Sequence, residues 1–149
     1  MSSDLKIIYL NNFHAYNGAK FAPFAGYSMP INYKTGIISE HKHVRKKVGI
    51  FDVSHMGQIL LPFTKSNVDN LEKYIPLNLH KINKYKANYS FLLNNNGGVI
   101  DDIIISLIHI DNCDYFYIIY NASRKSIDEK IFLNELQNTQ ILNKNCLFA

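Results

Sequence analysis

Two adjacent carboxylates, Asp101 and Asp102, open an apolar run in "NNNGGVIDDIII" (94–105). Charged groups seldom stand among isoleucines unless a partner pairs with them or a ligand uses them. A carboxylate in an apolar pocket can accept hydrogen bonds from a polar ligand or help to move a proton. The plainer reading is a pair at a hairpin mouth, solvated or capping nearby backbone, because carboxylates are common beside turns. Strand alternation puts Asp101 with Val99, Ile103 and Ile105, and Asp102 with Ile100, Ile104 and Ser106. Both faces are apolar, as in a strand covered on both sides, so periodicity does not choose between the two carboxylates.

"FDVSHM" (51–56) holds an Asp, a Ser and a His and invites a hydrolase reading. On a strand Asp52 and Ser54 face one way and His55 the other, so the three cannot form one triad. No G-x-S-x-G elbow is present. His41 and His43, two apart on a predicted helix, point about 200° apart and cannot share a metal. Cys113 and Cys146 lie far apart, without a C-x-x-C or a zinc-type His spacing, and read as free thiols in a reducing compartment. The glycine stretches "NGG" and "NGA" are turns, not phosphate loops.

These residues must be positioned by a chain of 149 residues, enough for one domain or pieces of two. With 47% hydrophobic and 19% charged residues it can build a core. A net charge of +4 and a pI of about 9.0 mildly favour an anionic ligand. The dense basic run "HKHVRKK" (41–47) is not the clustered stripe with interleaved aromatics that a nucleic acid would call for. No stretch approaches the ~20 apolar residues of a membrane helix. The start "MSSDLKIIYL" shows neither a secretory apolar region nor an Arg-rich, acid-free transit pattern.

Helical spacing of Leu5, Ile8, Tyr9 and Phe13 predicts a helix over 4–17, closed by Gly18. Two prolines and Gly26 make 19–33 extended pieces around a turn. A second helix follows Thr35 as N-cap and ends at Gly49, with Ile37, Ile38, His41, Val44, Arg45 and Val48 on one broad face. Residues 50–61 read as a strand. "TKSNVDNLEKYI" reads as a helix carrying Val68, Leu71 and Ile75. After a connecting loop come strands over 86–94 and 98–110, joined by the hairpin loop "NNNGG", and a strand over 114–120. Residues 121–136 form a last helix, with Ser126 and Glu129 spaced like a capping box. Consecutive strands joined by short turns pair antiparallel, so the class is α+β: an antiparallel sheet with flanking helices. The final "NCLFA" reads as an apolar run that stops within a strand, as in an incomplete protein.

Four ordered stretches carry more than pattern. "GAKFAPFAGYSMPINY", "VRKKVGIFDVSHMGQILL", "ANYSFLLNNNGGVIDDIIIS" and "YIIYNAS" together closely resemble the amino-terminal part of the glycine cleavage system T-protein (aminomethyltransferase) family. The family pattern runs G-A-K-x-x-x-F-A-G-x-x-M-P, V-R-x-x-V-G-x-F-D-V-S-H-M-G, N-x-x-G-G-x-x-D-D and N-A. The match spans roughly residues 10 to 125. Tyr27 stands where the family usually has Trp, a departure that keeps an aromatic.

The resemblance implies a partial folate-binding, aminomethyltransferase-like fold. Residues 1–49 would be an amino-terminal segment joining the first domain, 50–140 the antiparallel sheet-plus-helix folate-binding domain, and 141–149 the start of a truncated continuation. It implies transfer of the one-carbon unit from the aminomethyl-dihydrolipoyl arm of the H-protein to tetrahydrofolate, with release of ammonia. Tetrahydrofolate would be the co-substrate, the lipoylated H-protein the partner, and no metal, nucleic acid or membrane would take part. Asp102 would be the catalytic carboxylate facing the pterin. Met56, Tyr89, Asp102, Ile119 and Asn121 would be the folate-binding residues. Taken alone, Tyr89 is also an ordinary cross-strand aromatic, Asn121 a helix N-cap, and Met56 and Ile119 core residues. The alternative is a non-catalytic folate-binding relative involved in iron–sulfur protein maturation, although the Cys-containing motif of those relatives is missing here. The folate domain of a sarcosine or dimethylglycine dehydrogenase would need an attached flavin domain. Family membership implies the mitochondrion in a eukaryote and the cytoplasm in a bacterium. A chain short of the family's second half would be inactive alone.

Overall fold

The computed structural model describes residues 5–136 and 140–141. They form two compact units, one up to His55 and one from Met56.

In the first unit, β2 (Lys20–Phe24) and β3 (Tyr27–Asn32) pair antiparallel around a tight turn. Ala25 and Gly26 supply that turn with positive φ, 49° and 80°. The extended reading of 19–33 holds. The predicted first helix is cut short. Lys6–Ile7 forms β1, parallel to β3, and only Asn11–Tyr16 forms α1. The Lys6 amide donates to the Gly26 carbonyl at 3.0 Å, which ties this segment to the β2–β3 turn as a strand. Ile8 and His14 are buried, whereas Leu5, Tyr9 and Phe13 are exposed, so the spacing that predicted the helix does not mark its buried face. Gly18 does close α1, with φ +78° and its amide on Ala15.

The second helix, α2 (Ile37–Lys46), starts after Gly36 rather than after Thr35. The Thr35 hydroxyl donates instead to Glu40 Oε1 at 3.0 Å. The face expected to pack, Ile37 through Val48, is exposed, and no residue of α2 is buried. The strand expected over 50–61 starts only at Gly57. Residues 51–53 lack regular structure and 54–56 turn, which removes the two-faced strand argument for Asp52, Ser54 and His55.

The second unit is a five-stranded sheet in the order β5 (Ala87–Leu93), β6 (Val99–Ile110), β7 (Cys113–Tyr120), β4 (Gly57–Pro62), β8 (Gln140–Ile141). Every neighbouring pair is antiparallel. The β5–β6 hairpin closes on Asn94, whose Oδ1 accepts from the amides of Asn96 and Gly98, each at 2.9 Å. The helix α3 (Lys65–Leu71) is capped by Thr64 Oγ1, which accepts from the Asn67 amide at 3.2 Å. A 3-10 turn, Ala122–Arg124, leads into α4 (Lys125–Glu135). The expected Ser126–Glu129 capping box does not form. Ser126 already lies inside the helix, and Glu129 Oε1 accepts from the Tyr120 hydroxyl at 2.9 Å.

One face of this sheet carries the core. Ile59, Leu61, Ile103, Ile105, Phe116 and Ile118 are buried there with Val68 and Leu71 of α3 and Phe132 of α4. Each such side chain contributes about 1.5–3 kcal/mol through burial. Gly57 pairs with Tyr120, and a Cβ on Gly57 would sit 2.0 Å from the Tyr120 ring. Only a glycine lets that ring lie across β4.

Candidate functional site

A bulge in the β5–β6 ladder, between Leu92 and Leu93, lies immediately before the paired carboxylates. Leu92 pairs with Asp101, whereas Leu93 pairs with Val99, so Ile100 is the extra residue. Ile100 packs against the core and Val99 is exposed. Both therefore leave the faces that plain alternation assigned them. Beyond the bulge the alternation is regular. Asp101 is buried on the core side with Ile103 and Ile105, and half-buried Asp102 lies on the opposite side with Ile104 and Ser106.

That opposite face gathers much of the expected site. Tyr89 pairs with Ile104, and Ile104 pairs with Ile119, so the three stand in a row across β5, β6 and β7. Phe91 pairs with Asp102 and lies edge-on to Tyr89, ring centroids 5.6 Å apart. Further across, Tyr117 donates to Gln58 Oε1 at 2.8 Å. The result is a shelf with aromatic and aliphatic groups and one carboxylate at its edge. Tyr89 is 63% exposed, yet its hydroxyl is held above its ordinary pKa. Desolvation leads, followed by the Asp102 charge, a hydrogen bond to Asp102 and the Asp101 charge. The phenol thus stays protonated and can donate to Asp102.

Asn121 is not the side-chain cap it resembled. No side-chain bond caps the turn it precedes. The β6–β7 register pairs Ile103 with Tyr120, and one step further sets Asn121 across from Asp102. Its Nδ2 donates to Asp101 Oδ1 at 3.0 Å, Asp102 Oδ1 at 3.0 Å and the Asp102 carbonyl at 3.3 Å. Its backbone amide donates to Asp101 Oδ2 at 3.2 Å. One residue thus ties together two carboxylates on opposite faces of a strand. Met56 lies half-buried immediately before β4, at the end where Gly57 meets Tyr120.

Asp128 was missed by sequence reasoning. It is wholly buried in α4, on the stripe that continues through Phe132 to Leu136. A carboxylate at i of an apolar i, i+4, i+8 stripe was the available signal. Burial pushes its carboxyl up to about 8, helped by a hydrogen bond to Asp101 and by the Asp101 and Glu129 charges, against the pull of Arg124.

The first unit builds a different constellation. His14 Nε2 lies 2.8 Å from Asp52 Oδ2, and His14 Nδ1 lies 2.6 Å from the Tyr33 hydroxyl. With Nε2–H donating to the carboxylate, Nδ1 accepts from the phenol, a tautomer set by these partners. Asp52 Oδ1 accepts from the Ser54 amide at 2.9 Å. Burial works to raise the Asp52 carboxyl, but the bonds from His14 and Ser54 outweigh it and hold it below its ordinary value. The Asp–His pair ends on a phenol rather than a serine, so "FDVSHM" is not half of a hydrolase triad. His41 and His43 are exposed on α2.

The family model described as the GCVT N-terminal domain matches residues 10–146. The mitochondrial aminomethyltransferase of Dictyostelium discoideum is 39% identical over 121 residues, 81% of this chain and 29% of that protein. The aminomethyltransferase of Flavobacterium psychrophilum is 44% identical over 114 residues, 76% of this chain and 30% of that protein. In structure, the chain is similar to the glycine cleavage system aminomethyltransferase T from Bartonella henselae. The TM-score is 0.74 at 31% identity, covering 93% of this chain and 38% of that one. The chain thus spans about 30% of the length of these two curated relatives.

Proposed function

Because the chain belongs to the GCVT N-terminal domain family, we propose that it supplies the folate-facing sheet of an aminomethyltransferase of the glycine cleavage system. The reaction moves the one-carbon unit of an aminomethyl group, carried on the lipoyl arm of an H-protein, to tetrahydrofolate and releases ammonia. The observation that carries this reading is the shelf on β5–β7: Tyr89, Asp102 and Ile119 on one face, with Asn121 holding the Asp102 carboxylate.

On this reading the shelf receives the pterin. Tyr89 and Ile119 give flat apolar contact, and Met56 lines the end of the shelf near Asn121. Asp102 has one oxygen on Asn121 and is only half-buried, which leaves lone pairs for an N–H of the ligand. There it accepts a hydrogen bond, and in the transfer it takes up or relays the proton as the folate nitrogen attacks. The rest of the work is positioning. The compartment would be the mitochondrion in a eukaryote and the cytoplasm in a bacterium.

The test is a chimera in which this chain replaces the corresponding segment of the Flavobacterium psychrophilum relative. It is assayed with lipoylated H-protein and tetrahydrofolate. Transfer with ammonia release is expected. A folded chimera that binds tetrahydrofolate without transferring would point instead to a non-catalytic folate binder.

A further inference from the structure

We propose that Asp128 is a positioning residue for Asp102: standing as the neutral acid, it donates its one proton to Asp101, and the Asp101–Asn121–Asp102 chain of hydrogen bonds then fixes the Asp102 carboxylate. This rests on the reading of Asp102 as the folate-facing group.

The geometry begins with burial. Asp128 has no exposed surface, and neither of its oxygens meets a donor among the described residues when it is written as a carboxylate. Its neighbour Asp101 is 8% exposed and is also an acid. Two buried carboxyl groups in contact cannot both ionise without a large penalty, so one of them keeps a proton. The partners decide which. Both Asp101 oxygens already accept N–H groups from Asn121, at 3.0 and 3.2 Å, and so are engaged as acceptors. Asp128 accepts none of these bonds, so the proton stays with it and points at Asp101.

The charges around Asp128 come from three elements. Asp101 on β6 and Glu129 on α4 favour the neutral acid, and Arg124 in the turn before α4 opposes it. Burial adds the largest push, and the carboxyl is carried up to about 8. Ionising Asp128 would set its charge against Asp101. Asp101 would turn, Asn121 Nδ2 would lose an acceptor, and Asp102 would lose its fixed orientation.

The test uses the 149-residue chain with its aspartates labelled at the carboxyl carbon, Asp128 being assigned by its absence in Asp128→Asn. In the wild type the Asp128 carbon is expected to show a protonated acid at pH 7, with a titration midpoint near 8. The Asn121 side-chain amide and the Asp102 carbon are expected to move with the same midpoint. Asp128→Asn keeps a neutral donor at the same place, so it should leave the Asn121 amide unmoved at pH 7 and abolish its shift between pH 7 and 9. Asp128→Ala should displace the Asn121 amide already at pH 7. An Asp128 carbon that titrates in the ordinary carboxylate range overturns the proposal. So does an Asn121 amide that ignores both Asp128→Ala and the alkaline titration. Tetrahydrofolate is titrated separately. If the Asp128 and Asn121 signals behave as stated but tetrahydrofolate perturbs none of the shelf residues, the folate reading falls and the proton-holding role of Asp128 stands.

Discussion

Asp101 and Asp102 have the same chemistry and opposite surroundings. Asp101 is buried and bonded through both oxygens to Asn121, whereas Asp102 keeps an open side on the shelf. In the transferring chimera, Asp102→Asn is expected to slow transfer about 10²-fold or more, the usual scale for a positioned acid–base group. Folate binding should weaken less, because an amide still makes a hydrogen bond. Asp101→Asn is expected to act mainly on folding, read as a lower melting temperature. A larger rate loss from Asp101→Asn would show that the shelf has been assigned to the wrong side of β6. Two other acids give the chain opposed pH responses. The Asp52 carboxyl sits below its ordinary value in the fold. Its stabilisation is therefore complete above the unfolded value of about 4 and lost as pH falls through the lower folded value. Asp128 is raised to about 8. Its contribution is complete below about 4 and lost as pH rises from there to about 8. Thermal melting across pH should show Asp52→Asn flattening the profile below about pH 4 and Asp128→Asn flattening it between about pH 4 and 8. Unchanged profiles in both would contradict these assignments.

At the scale of elements, the contact between β4 and β7 depends on the absence of a side chain. Gly57→Ala forces the Tyr120 ring away and with it the hydroxyl bonded to Glu129 of α4. A destabilisation of about 2 kcal/mol or more is expected, at the upper end of overpacking effects, measured by denaturant unfolding. The α3 cap gives a smaller, cleaner signal. Thr64→Ala removes the acceptor for the Asn67 amide and should cost about 1 kcal/mol. Equal effects from the two substitutions would mean that the Gly57–Tyr120 approach relaxes easily.

Across the whole molecule the notable quantity is apolar exposure. Ile50 is 99% exposed, Tyr16 91%, Val48 81% and Ile38 72%. Apolar surface of this kind favours association. Sedimentation of the chain is expected to depend on concentration, and the charged substitutions Ile38→Lys and Val48→Lys should reduce that dependence. A monomer at every concentration would count against this. The chain spans about 30% of the length of the two curated relatives compared above. Its turnover alone is expected to fall well below that of the chimera under the same assay.

The hairpin turn, the long strands β5, β6 and β7 on either side of it and the α+β class were legible in the sequence, because Asn94–Gly98 and the isoleucine and tyrosine runs encode local preferences that the sheet obeys. The ordered motifs also made the family legible, since residue identity at fixed spacing survives without any knowledge of packing. Local preference failed where a distant partner competed. Lys6 is drawn into pairing beside β3, Asp52 is claimed by His14 from 38 positions away, and Glu129 turns to Tyr120 instead of capping α4. The choice between Asp101 and Asp102 was decided by tertiary structure. Both faces of β6 are apolar in sequence, and only the packing of α3 and α4 against one of them determines which carboxylate is buried. Asp128 belongs to the same class. A helix pattern shows that it lies on the inward stripe, but the acid it meets there is set by how α4 lies on the sheet.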